Sequence, residues 1–111
     1  MQLVTTQLKR CDLVKASGNI DSDTSPQLAR AFQAITDADR FKIVFDMSDV
    51  EYISSAGLRV LIKTQQTCKR WNRGEVILAG VSERLYKTLD LVGYTRFFKL
   101  VDNAAIAVGS F

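Results

Sequence analysis

A chain of 111 residues, 47% hydrophobic and 24% charged, has the balance of one folded globular domain spanning 1–111, with no room for a second core. Histidine is absent, which removes the commonest general base and the commonest metal ligand and weighs against most hydrolase and metalloenzyme chemistry. A net charge of +3 is small, and two cysteines are too few and too far apart for a disulfide framework or a zinc site.

In chain order, Leu3–Leu8 and Leu13–Ala16 read as strands separated by the polar Lys9-Arg10-Cys11-Asp12, a candidate hairpin. Residues Gly18 to Asp21 break the pattern. Thr24 or Ser25 before Pro26 starts a helix, because proline lacks only an N–H that the first turn leaves unpaired anyway. Leu28, Ala31, Phe32 and Ile35 give it one apolar face, and residues 37–40 close it.

Phe41–Phe45 is dense in β-branched and aromatic residues, as in a central strand covered on both faces. A short loop then leads to a long helix from about Ser55 to Trp71, with Leu58, Leu61, Ile62 and Gln65 on one side, continued by Thr64, Cys68 and Trp71. Gly74 is the expected left-handed cap. Val76–Ala79 is a second buried strand. Ser82 caps a third helix in which Leu85, Leu89 and Val92 align, with Gly93 after its last turn. Phe97–Val101 reads as a strand, and Asp102 or Asn103 caps a final helix through Val108.

Strands alternating with helices predict an α/β fold: a mixed, mostly parallel sheet of about five strands with about four helices. The opposite face of that sheet is left in need of cover or tolerant of water. No apolar run reaches the roughly 20 residues of a membrane helix, and Met1–Thr6 lacks the features of a signal peptide. The expectation is a cytoplasmic protein with no membrane partner.

The chain holds no phosphate-binding glycine loop and no Gly-x-Ser-x-Gly nucleophile turn. Lys63, Lys69, Arg70 and Arg73 gather towards a helix end, where cations complement the dipole; they lack the aromatic platforms expected of direct nucleic-acid binding. Asp46, Asp49 and Glu51 form an acidic group beside Ser55 in the sequence, which reads as solvated loop acids rather than a Mg²⁺ site. No metal, cofactor or catalytic residue is expected. Cys11 and Cys68 read as plain packing or surface residues.

Ser54 and Ser55 open the long helix, where backbone N–H groups are unpaired and the dipole is positive. One hydroxyl is expected to cap the helix. The other is then free to be a phosphoacceptor, with Gly57 allowing close approach of another backbone or a partner. Spacing alone does not say which serine does which.

Residues 45–61, FDMSDVEYISSAGLRVL, resemble the signature of the STAS domain of anti-sigma factor antagonists and sulfate transporter tails: a hydrophobic strand, Asp-Leu-Ser, a short loop, Asp-Ser-Ser-Gly-Leu and a helix. The resemblance extends to Gly18–Asp21, Val76–Ala79 and Leu89–Phe98, and so to essentially the whole chain. It implies a non-enzymatic anti-sigma factor antagonist whose unphosphorylated form binds an anti-sigma factor serine kinase and releases a sigma factor. It also implies phosphorylation at Ser55, which weakens that binding, and allows for a phosphatase that reverses it. Asp21, Asp46, Ser54, Ala56 and Gly57 would flank the site. Ser54 stands where the family has aspartate, and Ala56 where it has serine. The alternatives are a sensory module holding a small ligand or nucleotide near residues 18–23 and 54–57, and a small enzyme or phosphoryl carrier using a cysteine or carboxylate.

Overall fold

A computed structural model describes all 111 residues. The elements are β1 (Gln2–Gln7), β2 (Asp12–Ile20), α1 (Ser25–Asp37), β3 (Lys42–Ile53), α2 (Ser55–Lys69), β4 (Glu75–Ala79), α3 (Glu83–Leu91), β5 (Lys99–Val101) and α4 (Ala104–Gly109). Short 3₁₀ turns cover Arg70–Asn72 and Tyr94–Arg96. The sheet runs β1-β2-β3-β4-β5, with β1 antiparallel to β2 and every other pair parallel. The expected mixed α/β architecture is the observed one.

Strand order that advances steadily in one direction, joined by right-handed crossovers, puts every crossover helix on the same face. Residues of α1 (Leu28, Phe32, Ile35), α2 (Leu58, Leu61, Cys68) and α3 (Leu85, Leu89) accordingly share one core with Val14, Ile43, Phe45, Met47, Val76 and Leu78 of the sheet. Phe32 of α1 meets Phe45 of β3 edge to face, with ring centroids 5.3 Å apart. The alternate residues Val44, Ile77 and Ala79 point the other way and meet Ala107 of α4. The cover that the second face needs is thus supplied in part by the C-terminal helix.

Several boundaries differ from expectation. β2 continues through Gly18 to Ile20, because Gly18 takes a left-handed conformation (φ 86°) at a register shift and lets the ladder resume beyond it. β3 is 12 residues long: its polar second half, expected as loop, pairs with β2 on one side while β4 ends opposite Asp46. A strand with one open edge tolerates polar residues. α2 stops at Lys69, and Trp71 (φ 62°) and Asn72 (φ 55°) make the left-handed reversal expected of Gly74. Val92 is exposed rather than part of the apolar stripe, and β5 starts only at Lys99. Gly93 does end α3, with φ 80°.

Both cysteines are free and buried, as packing residues. Burial pushes the Cys68 thiol up to about 11, against the pull of Arg73. The folded state therefore favours the neutral thiol: its stabilisation is complete below pH 9, the unperturbed value, and is lost as pH rises from 9 to about 11. Urea unfolding across that range is expected to show a loss of up to about 3 kcal/mol that Cys68→Ala lacks. Parallel pH profiles for the two proteins would contradict this.

Candidate functional site

The last register pair of β2 and β3 is Ile20 opposite Ile53. Immediately beyond it the Ser54 N–H donates to the Ile20 carbonyl (2.7 Å), so the two loops leave the sheet side by side. Asp21 and Ser54 are the residues that follow this pair and begin the two loops. Gly57 then sets α2 directly onto the strand ends: a Cβ there would lie 2.7 Å from Ile53 Cγ1 and 2.8 Å from Ile20 Cγ2. Its role is close packing against this chain's own core.

The division of labour between the serines is resolved by geometry. Ser54 has extended backbone (φ −83°, ψ 171°), and its Oγ accepts from the Gly57 N–H at 3.2 Å. Ser54 is the cap. Ser55 is the first residue of the 15-residue α2 and is exposed, with no capping duty. The N–H groups of Ser55 and Ala56 have no intrahelical acceptor, and the first turn carries no acidic side chain to offset the dipole. Ala56 is half-buried and faces the space between α1 and α2.

Asp21 is half-buried and committed to its own loop. Its Oδ1 accepts from the N–H groups of Asp23 and Thr24, each at 2.9 Å, while its own N–H donates to Thr24 Oγ1 (2.9 Å). The Thr24 N–H above all, then the Thr24 hydroxyl, holds the Asp21 carboxyl below the usual carboxylate range. Thr24, expected as a possible cap of α1, makes no side-chain cap bond; its hydroxyl instead fixes this loop. The signal missed in the sequence was Asp21 preceding Thr24 by three residues, the spacing of a side-chain turn.

Asp46 does not flank Ser55. It lies inside β3 opposite Lys15 and Ala79, and alternation points it to the α4 face, away from α2. Five steps of β2, from Lys15 to Ile20, separate it from the end of the ladder, roughly 15–20 Å at about 3.3 Å per residue. It is 9% exposed and accepts from the Ser48 N–H at 3.0 Å, an internal role in the strand. Asp49 pairs with Lys15 (3.3 Å), and Glu51 is exposed on β3. The acids adjacent in sequence are spread along a strand, and no group of three could hold a metal ion.

The STAS domain family profile matches residues 2–107. BtrV of Bordetella bronchiseptica, provisionally named an anti-sigma factor antagonist, is 23% identical over 111 residues, covering 100% of this chain and 95% of its own. A crystal structure of an anti-sigma factor antagonist from Mycobacterium paratuberculosis superposes with a TM-score of 0.82 at 26% identity, over 98% of this chain and 92% of that one. The anti-sigma factor antagonist SpoIIAA shares the fold in its unphosphorylated form (TM-score 0.83, 14% identity, covering 98% and 95%). Its phosphorylated form, from Bacillus, gives 0.77 at the same identity, covering 98% of each chain. With the profile spanning nearly every residue and the same sheet and helices throughout, the chain belongs to the STAS domain family.

Proposed function

We propose that this chain is an anti-sigma factor antagonist switched by phosphorylation of Ser55. The observation that carries the reading is the exposed, uncapped Ser55 hydroxyl at the start of α2, beside a Ser54 that already caps the helix. The names of the relatives support the general role, and SpoIIAA is a neighbour solved with and without a phosphate. In this reading the partner is an anti-sigma factor that is also a serine kinase. The Ser55 Oγ attacks the γ-phosphorus of ATP, the new O–P bond forms as the bond to ADP breaks, and the hydroxyl proton leaves to the kinase or solvent. This chain is the substrate and not the catalyst.

The phosphate adds about −1.5 to −2 charges. Free N–H groups at Ser55 and Ala56 and the positive helix end make it acceptable to the fold. A partner docked flat on the rim would face it together with the ionised Asp21. Asp46 and Asp49 take no part in that repulsion, the first being on the other sheet face and the second paired with Lys15.

The test is incubation with the organism's anti-sigma factor kinase and ATP. One phosphate is expected on Ser55 by mass spectrometry. Ser55→Ala is expected to stay unmodified and bound, and Ser55→Asp to bind at least about tenfold more weakly, with backbone NMR shifts confined to the Asp21 and Ser55 loops. Full phosphorylation of Ser55→Ala would move the acceptor to Ser54. Unchanged affinity of Ser55→Asp and of the phosphorylated chain would end the reading.

A further inference from the structure

Between α1 and α2 runs a groove of about 410 Å³, a size that holds a small group of side chains. Ala29, Phe32, Ala56 and Val60 give it an apolar floor, and Arg59 and Lys63 stand on its rim with no acidic residue lining it. Both cations are exposed, and neither enters any of the three ion pairs of the molecule. α2 holds three cations and no acid, and α1 holds a single acid, Asp37, at its last residue. An apolar floor under unpaired positive charge is complementary to an acidic amphipathic helix. Arg59 and Lys63 lie one turn apart, about 6 Å along the axis, the spacing of carboxylates at i and i+4 on such a helix.

The groove is continuous with the switch. Ala56 lines it and follows Ser55 directly. Ser55 and Arg59 are four apart on the same helix, hence neighbours on its surface. Helical side chains lean toward the N-terminus, which puts the turn that begins at Ser55 within reach of Arg59. Arginine pairs well with both carboxylate and phosphate.

We propose that this groove receives an acidic amphipathic helix of the protein partner, and that Arg59 is shared between that helix and the phosphate on Ser55. The proposal rests on the reading that an anti-sigma factor docks at Ser55, and it names the recognition surface of that partner. Phosphorylation then acts twice: it adds negative charge at the rim, and it withdraws Arg59 from the partner's carboxylates.

Titration calorimetry with the organism's purified anti-sigma factor tests this. Arg59→Glu and Lys63→Glu are each expected to raise the Kd about tenfold or more, and Lys87→Glu on α3 to stay within about twofold. All three side chains are exposed, and unchanged circular dichroism and melting identify folded variants. The loss caused by Ser55→Asp is expected to shrink at least about threefold in an Arg59→Ala background, because the shared group is already gone. If Ser55→Asp weakens binding while both rim reversals bind like the parent, the groove assignment is wrong and the switch stands. If the Ser55→Asp loss is the same with and without Arg59, the sharing is wrong. A dimer of this chain dissolved by Arg59→Glu would put a second copy in the groove and overturn the assignment. No binding by the unmodified chain overturns both readings.

Discussion

Gly74→Ala is expected to lower the stability of the domain by about 3 kcal/mol or more, although the backbone at Gly74 suits any residue. Gly74 is not among the glycines with positive φ, so conformational entropy alone would make the substitution stabilising by about 0.4–1 kcal/mol. Space decides the sign. A Cβ at Gly74 would lie 2.2 Å from the Phe41 carbonyl oxygen and 2.6 Å from its carbon. These are backbone atoms at the entry to β3, next to the Lys42–Glu75 register pair, and no rotamer change relieves the clash. The start of the central ladder has to spread, and the Arg73 guanidinium, 3.6 Å above the Phe41 ring, is displaced with it. Gly109→Ala is the control: nothing lies within 4 Å, and it is expected to be neutral or stabilising by up to about 1 kcal/mol. Chemical denaturation of the two variants gives the comparison, and a Gly74→Ala protein as stable as its parent would refute the argument.

Gln65→Leu is expected to cost about 2–4 kcal/mol. Gln65 is 2% exposed on the inner side of α2. Its Oε1 accepts from the Val76 N–H (2.6 Å), and its Nε2 donates to the carbonyls of Val76 (3.2 Å) and Phe97 (2.6 Å). The reason for a polar side chain here is the shortness of β5. Pairing with β4 begins only at Ile77 opposite Lys99, so Val76 lacks a strand partner on that side and the glutamine amide stands in for one. Leucine fills similar volume but orphans two buried backbone groups of Val76, at about 1–3 kcal/mol each, and the part-buried Phe97 carbonyl at less, against about 2 kcal/mol gained by apolar burial. Urea unfolding measures the loss, and amide exchange at Val76 locates it. A loss below about 1 kcal/mol would mean that water or a shifted strand satisfies those groups.

The same residue shows where the sequence was readable. Gln65 fell on the helical stripe with Leu58 and Leu61, so its inward direction was legible from period alone. Its hydrogen-bond partners were not, since they come from β4 and from Phe97, 32 residues away. The paired serines were legible as one cap and one free hydroxyl, and Ser54 took the cap because its extended backbone points Oγ at the Gly57 N–H. Asp46 was misplaced because β3 was expected to end at Phe45, which would have put Asp46 on the rim, whereas the strand runs on to Ile53. A strand separates neighbours by about 3.3 Å per residue and alternates their faces, so a carboxylate eight positions before Ser54 ended up on the opposite side of the sheet.

Local patterning in this chain settled the order in which helices and strands alternate and the helix start that carries two hydroxyls, because 3.6- and 2-residue periods and caps are short-range physics. Packing decided the rest: how far β2 and β3 run, why Gly74 has no side chain, which face Asp46 takes, and that a basic-rimmed groove lies beside Ser55. Each of those depends on atoms distant in the chain, which no local period records.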